Sequence, residues 1–251
     1  MDPRINIIDE RLGGIGRIIA VTGGKGGIGK SMVSSTLALI LADLGYRVGL
    51  FDLDFYGPSD HVILGISRLY PKEEKGIVPP EVHGIKFISI IYYAGDSPSP
   101  IRGSDVSNAL IELLTITRWG ALDFLVIDMP PGIGDATLDV IRLMKRNEFV
   151  IVTTQSKVAI ETVKKMLQVL KELSVPILGV IENMRFRKRP FVEDRLKEFS
   201  VQVLGGIDFD QNLEDAVGDA KRLIKTRFAQ SLREIVIGSS KFKAGERGHP
   251  S

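Results

Sequence analysis

The 251 residues are 44% hydrophobic and 25% charged, and 33 basic against 31 acidic side chains leave a net charge of +2. That balance gives no composition-level case for a nucleic acid or an anionic membrane surface as partner. Cysteine is absent, which excludes disulfides, thiolate nucleophiles and any iron–sulfur or thiolate zinc site built by this chain alone.

Residues 1–11 carry acids and lack an unbroken apolar stretch, so no secretory leader is expected there. No apolar run approaches the ~18 residues of a membrane span, and the expected location is the cytoplasm. Along the chain, short apolar runs at 18–21, 48–51, 87–91, 124–127, 149–152 and 177–181 read as strands, with a further one at 201–204. They are rich in Val, Ile and Phe and do not alternate, the pattern of strands buried on both faces of a parallel sheet. Amphipathic helices are expected between them at 31–44, 105–119, 135–145, 159–173 and 191–199. A last helix at 223–237 aligns Ile224, Phe228, Leu232 and Ile235 on one stripe. That stripe is expected to pack on the sheet edge, the alternative being a membrane-surface helix. Strand–helix alternation with short connections predicts an α/β fold: a three-layer, doubly wound, mostly parallel sheet with helices on both faces. One domain over 1–238 and a loose tail over 239–251 are expected.

Gly24-Lys25-Gly26-Gly27-Ile28-Gly29-Lys30-Ser31 follows the first strand and opens the first of these helices. Glycines let the backbone wrap a phosphate and aim successive N–H groups at it, and the helix N-terminus adds its positive dipole end. Lys30 is then expected to reach the β- and γ-phosphates of ATP, and the Ser31 hydroxyl to ligate Mg²⁺. Acids at two strand ends complete the expected site. Asp128 closes Phe124-Leu125-Val126-Ile127-Asp128, and Asp52 and Asp54 end the 48–51 strand, facing the crevice where such sheets bind ligands. His61, His83 and His249 are too scattered to suggest a metal site. The basic run over residues 185–189 reads as a solvated loop, with docking of an acidic partner as the alternative.

The extra lysine in Gly24-Lys25-Gly26-Gly27 resembles the deviant Walker A loop of the MinD/ParA/nitrogenase-iron-protein superfamily. Asp52-Leu53-Asp54-Phe55-Tyr56-Gly57-Pro58-Ser59, Asp128-Met129-Pro130-Pro131-Gly132-Ile133-Gly134-Asp135 and Gly179-Val180-Ile181-Glu182-Asn183-Met184 are similar to the Mrp branch of that superfamily, relatives of the ApbC-type iron–sulfur scaffolds. The opening from Asp2 to Asp9 and the missing cysteines resemble, within it, the archaeal Mrp/MinD-type ATPases of nickel–iron hydrogenase maturation, the HypB group. The resemblance, covering about residues 15–237, implies a slow Mg-ATPase that forms a homodimer on binding ATP and ends with ADP. Lys25 would cross to the partner's phosphates, Asp54 would orient the attacking water, and Asp52 and Asp128 would hold the magnesium hydration shell. Gly132 would offer a backbone N–H to the γ-phosphate. Asn183 would recognise adenine, with the segment 206–210, Asp208 included, lining the base. Two departures stand out. Met32 replaces a second hydroxyl that touches the α-phosphate, and residues 185–190 replace the CxxC of iron–sulfur carriers. The leading expectation is therefore nickel insertion with a metallochaperone partner. The alternatives are an iron–sulfur carrier and a MinD/ParA-like positioning ATPase on membrane or DNA.

Overall fold

A computed structural model describes residues 4–67, 69–90, 103–187 and 190–244, with backbone only at 103 and 104. In chain order the helices are α1 (Arg4–Gly13), α2 (Lys30–Asp43), α3 (Asp60–Ile63), α4 (Gly103–Ile116), α5 (Asp135–Leu143), α6 (Lys157–Glu172), α7 (Phe191–Leu196), α8 (Ala220–Leu223) and α9 (Arg227–Gly238). The strands are β1 (Ile15–Gly23), β2 (Val48–Asp52), β3 (Lys72–Glu73), β4 (Ile77–Val78), β5 (Glu81–Val82), β6 (Ile85–Ser89), β7 (Leu122–Asp128), β8 (Asn147–Thr153), β9 (Ile177–Arg185) and β10 (Val203–Asp208).

Eight strands form one sheet in the order β10-β9-β8-β1-β7-β2-β6-β5, parallel throughout except for the β5–β6 edge pair. The continuous apolar runs become strands covered on both sides: all seven residues of β7 and all five of β2 are buried. One face carries α2, α8 and α9, through residues such as Val33, Leu37, Leu223, Phe228 and Leu232. The other carries α1, α4, α5, α6 and α7, where Ile8, Leu114, Val140, Leu167 and Val192 meet Trp119 and Phe51. Phe51 and Trp119 lie with ring centroids 5.6 Å apart. This is the doubly wound, mostly parallel α/β architecture that the alternating pattern predicts.

Several elements depart from the sequence expectation. Residues 4–13 form a helix whose Ile8 and Leu12 are buried on α4, so the opening segment is a packing element. The helix expected over 223–237 is broken. Thr226 is extended and its hydroxyl accepts the Ala229 N–H at 3.1 Å, capping a new helix, α9. A side-chain cap of this kind offers the backbone a start signal that the unbroken apolar stripe conceals. The stripe itself packs inward, with Phe228, Leu232 and Ile235 buried, as the sheet-packing expectation has it. Ser240–Phe242 forms a single 3-10 turn that buries Phe242 against the same face, within the stretch expected to be loose. Residues 245–251 of that stretch lie outside the described residues. Finally, the two-residue strands β3, β4 and β5 are too short to leave a pattern in the sequence.

Among the described residues no helix is long and apolar enough to cross a membrane.

Candidate functional site

β1 and β7 run parallel with Val21 opposite Asp128, and β2 lies on the far side of β7 with Asp52 opposite Asp128. This register puts two carboxylates side by side at the carboxyl ends of neighbouring strands, where the chain leaving β1 turns into α2. Gly29 caps α2 in the left-handed region, φ 79°, with no side-chain cap on the first-turn amides. Those N–H groups are therefore available to an anion at the positive end of the helix.

The glycine pattern has local causes. A Cβ at Gly24 would fall 2.3 Å from the Thr162 hydroxyl on α6. At Gly29 it would fall 2.3 Å from the Asn183 side-chain nitrogen. Gly29→Ala therefore combines a clash with left-handed strain, and we expect it to cost about 1–3 kcal/mol. Thermal unfolding and an ADP titration read both consequences; a variant with parental melting and affinity would mean that this loop conformation is dispensable.

Lys30 and Ser31, at the start of α2, both converge on Asp128. Lys30 Nζ lies 2.9 Å from Asp128 Oδ1, and Ser31 Oγ donates to Oδ2 at 2.6 Å. Ser34, one turn on, donates to Oδ1 at 2.7 Å. Asp128 is fully buried and Lys30 is 7% exposed. Asp54 stands farther out: its Oδ2 is 3.8 Å from Lys30 Nζ, and its Oδ1 accepts from the Tyr56 and Gly57 amides. Its own amide donates to Asp52 Oδ1 at 3.1 Å, while Ser89 Oγ donates to Asp52 Oδ2 at 3.2 Å.

Sequence reasoning missed Asp60. The recognisable motif ends at Ser59, and Asp60 follows at once as the first residue of α3. It is fully buried, and Ser35 Oγ donates to its Oδ1 at 2.6 Å. Oxygens of Asp52, Asp60 and Asp128 all lie within 4.8 Å of one another. Ser34 and Ser35 were missed as well. Their signal was present: two hydroxyls on one turn of an otherwise apolar helix.

This crowding shifts the acids. Burial, followed by the charge of Asp128, pushes the Asp52 carboxyl up to about 7. Asp60 is held well above the usual carboxylate range by burial, then by Asp128 and Asp52. Asp128 is also raised by burial, with Lys30 the strongest opposing influence, followed by the hydroxyls of Ser31 and Ser34.

The remaining sequence-predicted residues are arranged around this centre. Lys25, Gly26 and Gly27 are exposed on the outside of the loop, and Ile28 is buried. Met32 is half-buried and packs into the apolar layer on the α2 side. Gly132, at φ +83°, donates its N–H to the Gly23 carbonyl at 2.8 Å. The amide expected to face a phosphate is thus tied to the end of β1 in this arrangement. Asn183 is 2% exposed, and its amide donates to the Ile28 carbonyl at 2.8 Å, so here it braces the loop. Asp208 is exposed and pairs with Arg185 Nε at 2.7 Å, while Phe186 stacks on Phe209 at 4.8 Å. Gln155 fastens the start of the basic segment, accepting from the Phe186 and Arg187 amides and donating to the Arg187 carbonyl. Residues 188 and 189 of that segment lie outside the described residues. A cavity of about 750 Å³, of small-molecule size, flanks the loop between Lys25, Ile28, Gln155, Met184 and Phe186.

A family model described as NUBPL iron-transfer P-loop NTPase, of the ParA group, matches residues 14–237. The chain belongs to this P-loop NTPase family. The iron–sulfur cluster carrier protein of Aquifex aeolicus is 38% identical over 222 residues, which are 82% of this chain and 61% of the relative. The protein of the same name from Pseudomonas fragi is 43% identical over 177 residues, 69% of this chain and 62% of the relative. The chain thus spans about six tenths of the length of these relatives. A nucleotide-binding protein from Archaeoglobus fulgidus, in complex with ADP, superposes with a TM-score of 0.74 at 31% identity, covering 88% of this chain and 93% of that one.

These relatives correct the leading expectation from the sequence. Nickel insertion into hydrogenase with a metallochaperone is not what they are named for; they are named as iron–sulfur cluster carriers. The features that suggest nickel are the opening segment and the missing cysteines. From Arg4 onward, the opening is explained by α1, whose apolar residues serve packing on α4.

Proposed function

We propose that the chain is a Mg²⁺-dependent ATPase whose nucleotide state governs pairing with a second copy, and that it works in iron–sulfur cluster assembly. The observation that carries the nucleotide reading is the convergence of Lys30 and Ser31 on Asp128, beside Asp52 and Asp54, under an uncapped helix N-terminus. The donors at hand are carboxylates and a hydroxyl, hard oxygens suited to Mg²⁺, and a buried oxygen beside them, Asp60 Oδ2, has no hydrogen-bond donor among the described residues. Ser31, Asp52 and Asp128 would hold the magnesium, which when bound neutralises phosphate charge as it builds up on the leaving and transferred groups.

The chain's own residues do the rest. The first-turn amides of α2 and the loop from Gly24 to Gly29 cradle the phosphates. Lys30 exchanges Asp128 for the β- and γ-phosphate oxygens, and Asp54 accepts a proton or hydrogen bond from the attacking water. Hydrolysis proceeds by positioning and charge neutralisation with no covalent intermediate. Lys25, exposed at the lip of the loop, reaches the nucleotide of the second copy. Asn183 would have to exchange the Ile28 carbonyl for the base, which the segment around Asp208 lines.

The iron–sulfur role is supported by the names of the relatives. With no cysteine in its 251 residues, this chain offers a cluster no thiolate and is not itself the carrier. Its part is the switch: it drives transfer between proteins that supply the thiolates. In the test, apo-ferredoxin receives a four-iron cluster from a loaded scaffold protein, anaerobically. Adding the chain with Mg-ATP is expected to speed the appearance of holo-ferredoxin absorbance relative to Mg-ADP, with no cluster absorbance on the chain itself. Equal rates with ATP, with ADP and without the chain would sink the iron–sulfur role and leave the nucleotide reading standing.

A further inference from the structure

Asp60 has no assigned part in binding or hydrolysis. It is fully buried, and its Oδ1 is satisfied by Ser35, yet Oδ2 has no donor among the described residues. A buried acceptor left unmatched is costly, above all when charged, so a native fold that keeps one has a use for it. Two further observations say what would satisfy it. The first is that the protein already puts a cation into this cluster, the Lys30 ammonium 2.9 Å from Asp128. The second is the charge balance: three fully buried carboxylates face one lysine. With Asp54 3.8 Å from the same ammonium, the acids outnumber the cation at this cluster, and a divalent cation would offset the excess once they ionise.

We propose that Asp60 is a third carboxylate of a divalent-cation site shared with Asp52 and Asp128, and that it lets the chain hold Mg²⁺ or Mn²⁺ without nucleotide. This rests on the magnesium reading above and extends it. Ser31, Asp52 and Asp128 rely on phosphate oxygens to complete a metal shell, whereas Asp60 adds an oxygen from the protein itself. Hard oxygen donors select Mg²⁺ or Mn²⁺ over softer metals. Ser35 is a positioning residue: by engaging Oδ1 it orients the carboxylate and leaves Oδ2 to the cation. Lys30 is the competitor, because its ammonium occupies Asp128 until phosphate draws it away.

The experiment is a Mn²⁺ titration of the whole chain at pH 8 without nucleotide, followed by loss of the free-ion electron paramagnetic resonance signal. One Mn²⁺ per chain is expected to bind. Asp60→Asn keeps the shape and the Ser35 bond, and it is expected to weaken Mn²⁺ binding by about tenfold or more. Its affinity for ADP measured in EDTA should stay within about twofold of the parent, because with no divalent cation present Asp60 has no ion to share with the phosphates. Ser35→Ala is expected to weaken Mn²⁺ binding by a smaller factor. A parent chain that leaves the Mn²⁺ signal unchanged overturns the proposal, and so does an Asp60→Asn variant that binds Mn²⁺ like the parent. If Asp60→Asn does not fold, the parent titration and Ser35→Ala still decide. Failure of ADP to bind in EDTA would count against the nucleotide reading alone, since the Mn²⁺ result is read without nucleotide.

Discussion

Lys30→Ala abolishes measurable ATP hydrolysis, lowering kcat by at least about a hundredfold, because one charged contact to the transferred phosphoryl group is worth that much in a preorganised site. The variant also changes the protein before any nucleotide arrives. Lys30 is the partner of Asp128 Oδ1, and Asp128 is fully buried. Removing one half of a buried ion pair costs about 3–5 kcal/mol when the other half stays charged. Here the hydroxyls of Ser31 and Ser34 remain on Asp128, and protonation of that carboxyl offers partial relief. The variant is therefore expected at the low end of that range, and to recover stability as the pH is lowered. Phosphate release and thermal unfolding measure the two effects separately. Hydrolysis near the parental rate would remove Lys30 from the reaction, and an unchanged melting temperature would remove the pair from the stability of the fold.

The second large effect is the dependence of stability on pH in EDTA. The Asp52 carboxyl is raised from an ordinary 3.8 to about 7, first by burial and then by Asp128. The fold thus favours its protonated form. That contribution is full below the unfolded value near 3.8 and is lost as the pH rises through about 7. One group carried over this interval amounts to about 4 kcal/mol, since each tenfold change in proton affinity is worth about 1.4 kcal/mol. Asp60 is raised in the same sense and adds to the trend. For a chain of this length the melting temperature is expected to fall on the order of 10 °C between about pH 5 and pH 8. Asp52→Asn, which cannot ionise, should flatten the curve, and so should Mg-ADP, which gives the carboxylates a cation. A flat profile for the parent in EDTA, or an equally steep one for Asp52→Asn, would contradict this account of the cluster.

The main strands were legible because strands covered on both faces must be apolar at every position, a pattern that needs no tertiary knowledge. The acids at their ends were legible for the same reason, since a carboxylate closing such a run has few other places to go. The interior of the site was less so. Asp60 stands one residue past a recognisable motif, in a four-residue helix with no periodicity of its own, and its burial follows from the packing of Ile63 and Leu64 under the sheet. Asn183 is expected from the sequence to meet adenine and the Gly132 N–H to meet the γ-phosphate, but the sequence carries no sign that these donors are engaged by the Ile28 and Gly23 carbonyls. Those bonds depend on the close approach of β9 to the phosphate loop and of the β7–α5 turn to the end of β1, a long-range geometry. The break at Thr226 was hidden because the apolar stripe continues in phase across it. The biological role was the least legible of all: the loop and its acids specify phosphate chemistry, while the protein served by that chemistry leaves no trace in them.

The central claim is that this loop binds a magnesium–nucleoside triphosphate through Lys30 and Ser31, and isothermal titration with Mg-ATP tests it most directly. The account predicts one site per chain, strongly weakened in Lys30→Ala. A parent chain that gives no binding heat with either Mg-ATP or Mg-ADP, across a range of temperatures, would contradict it.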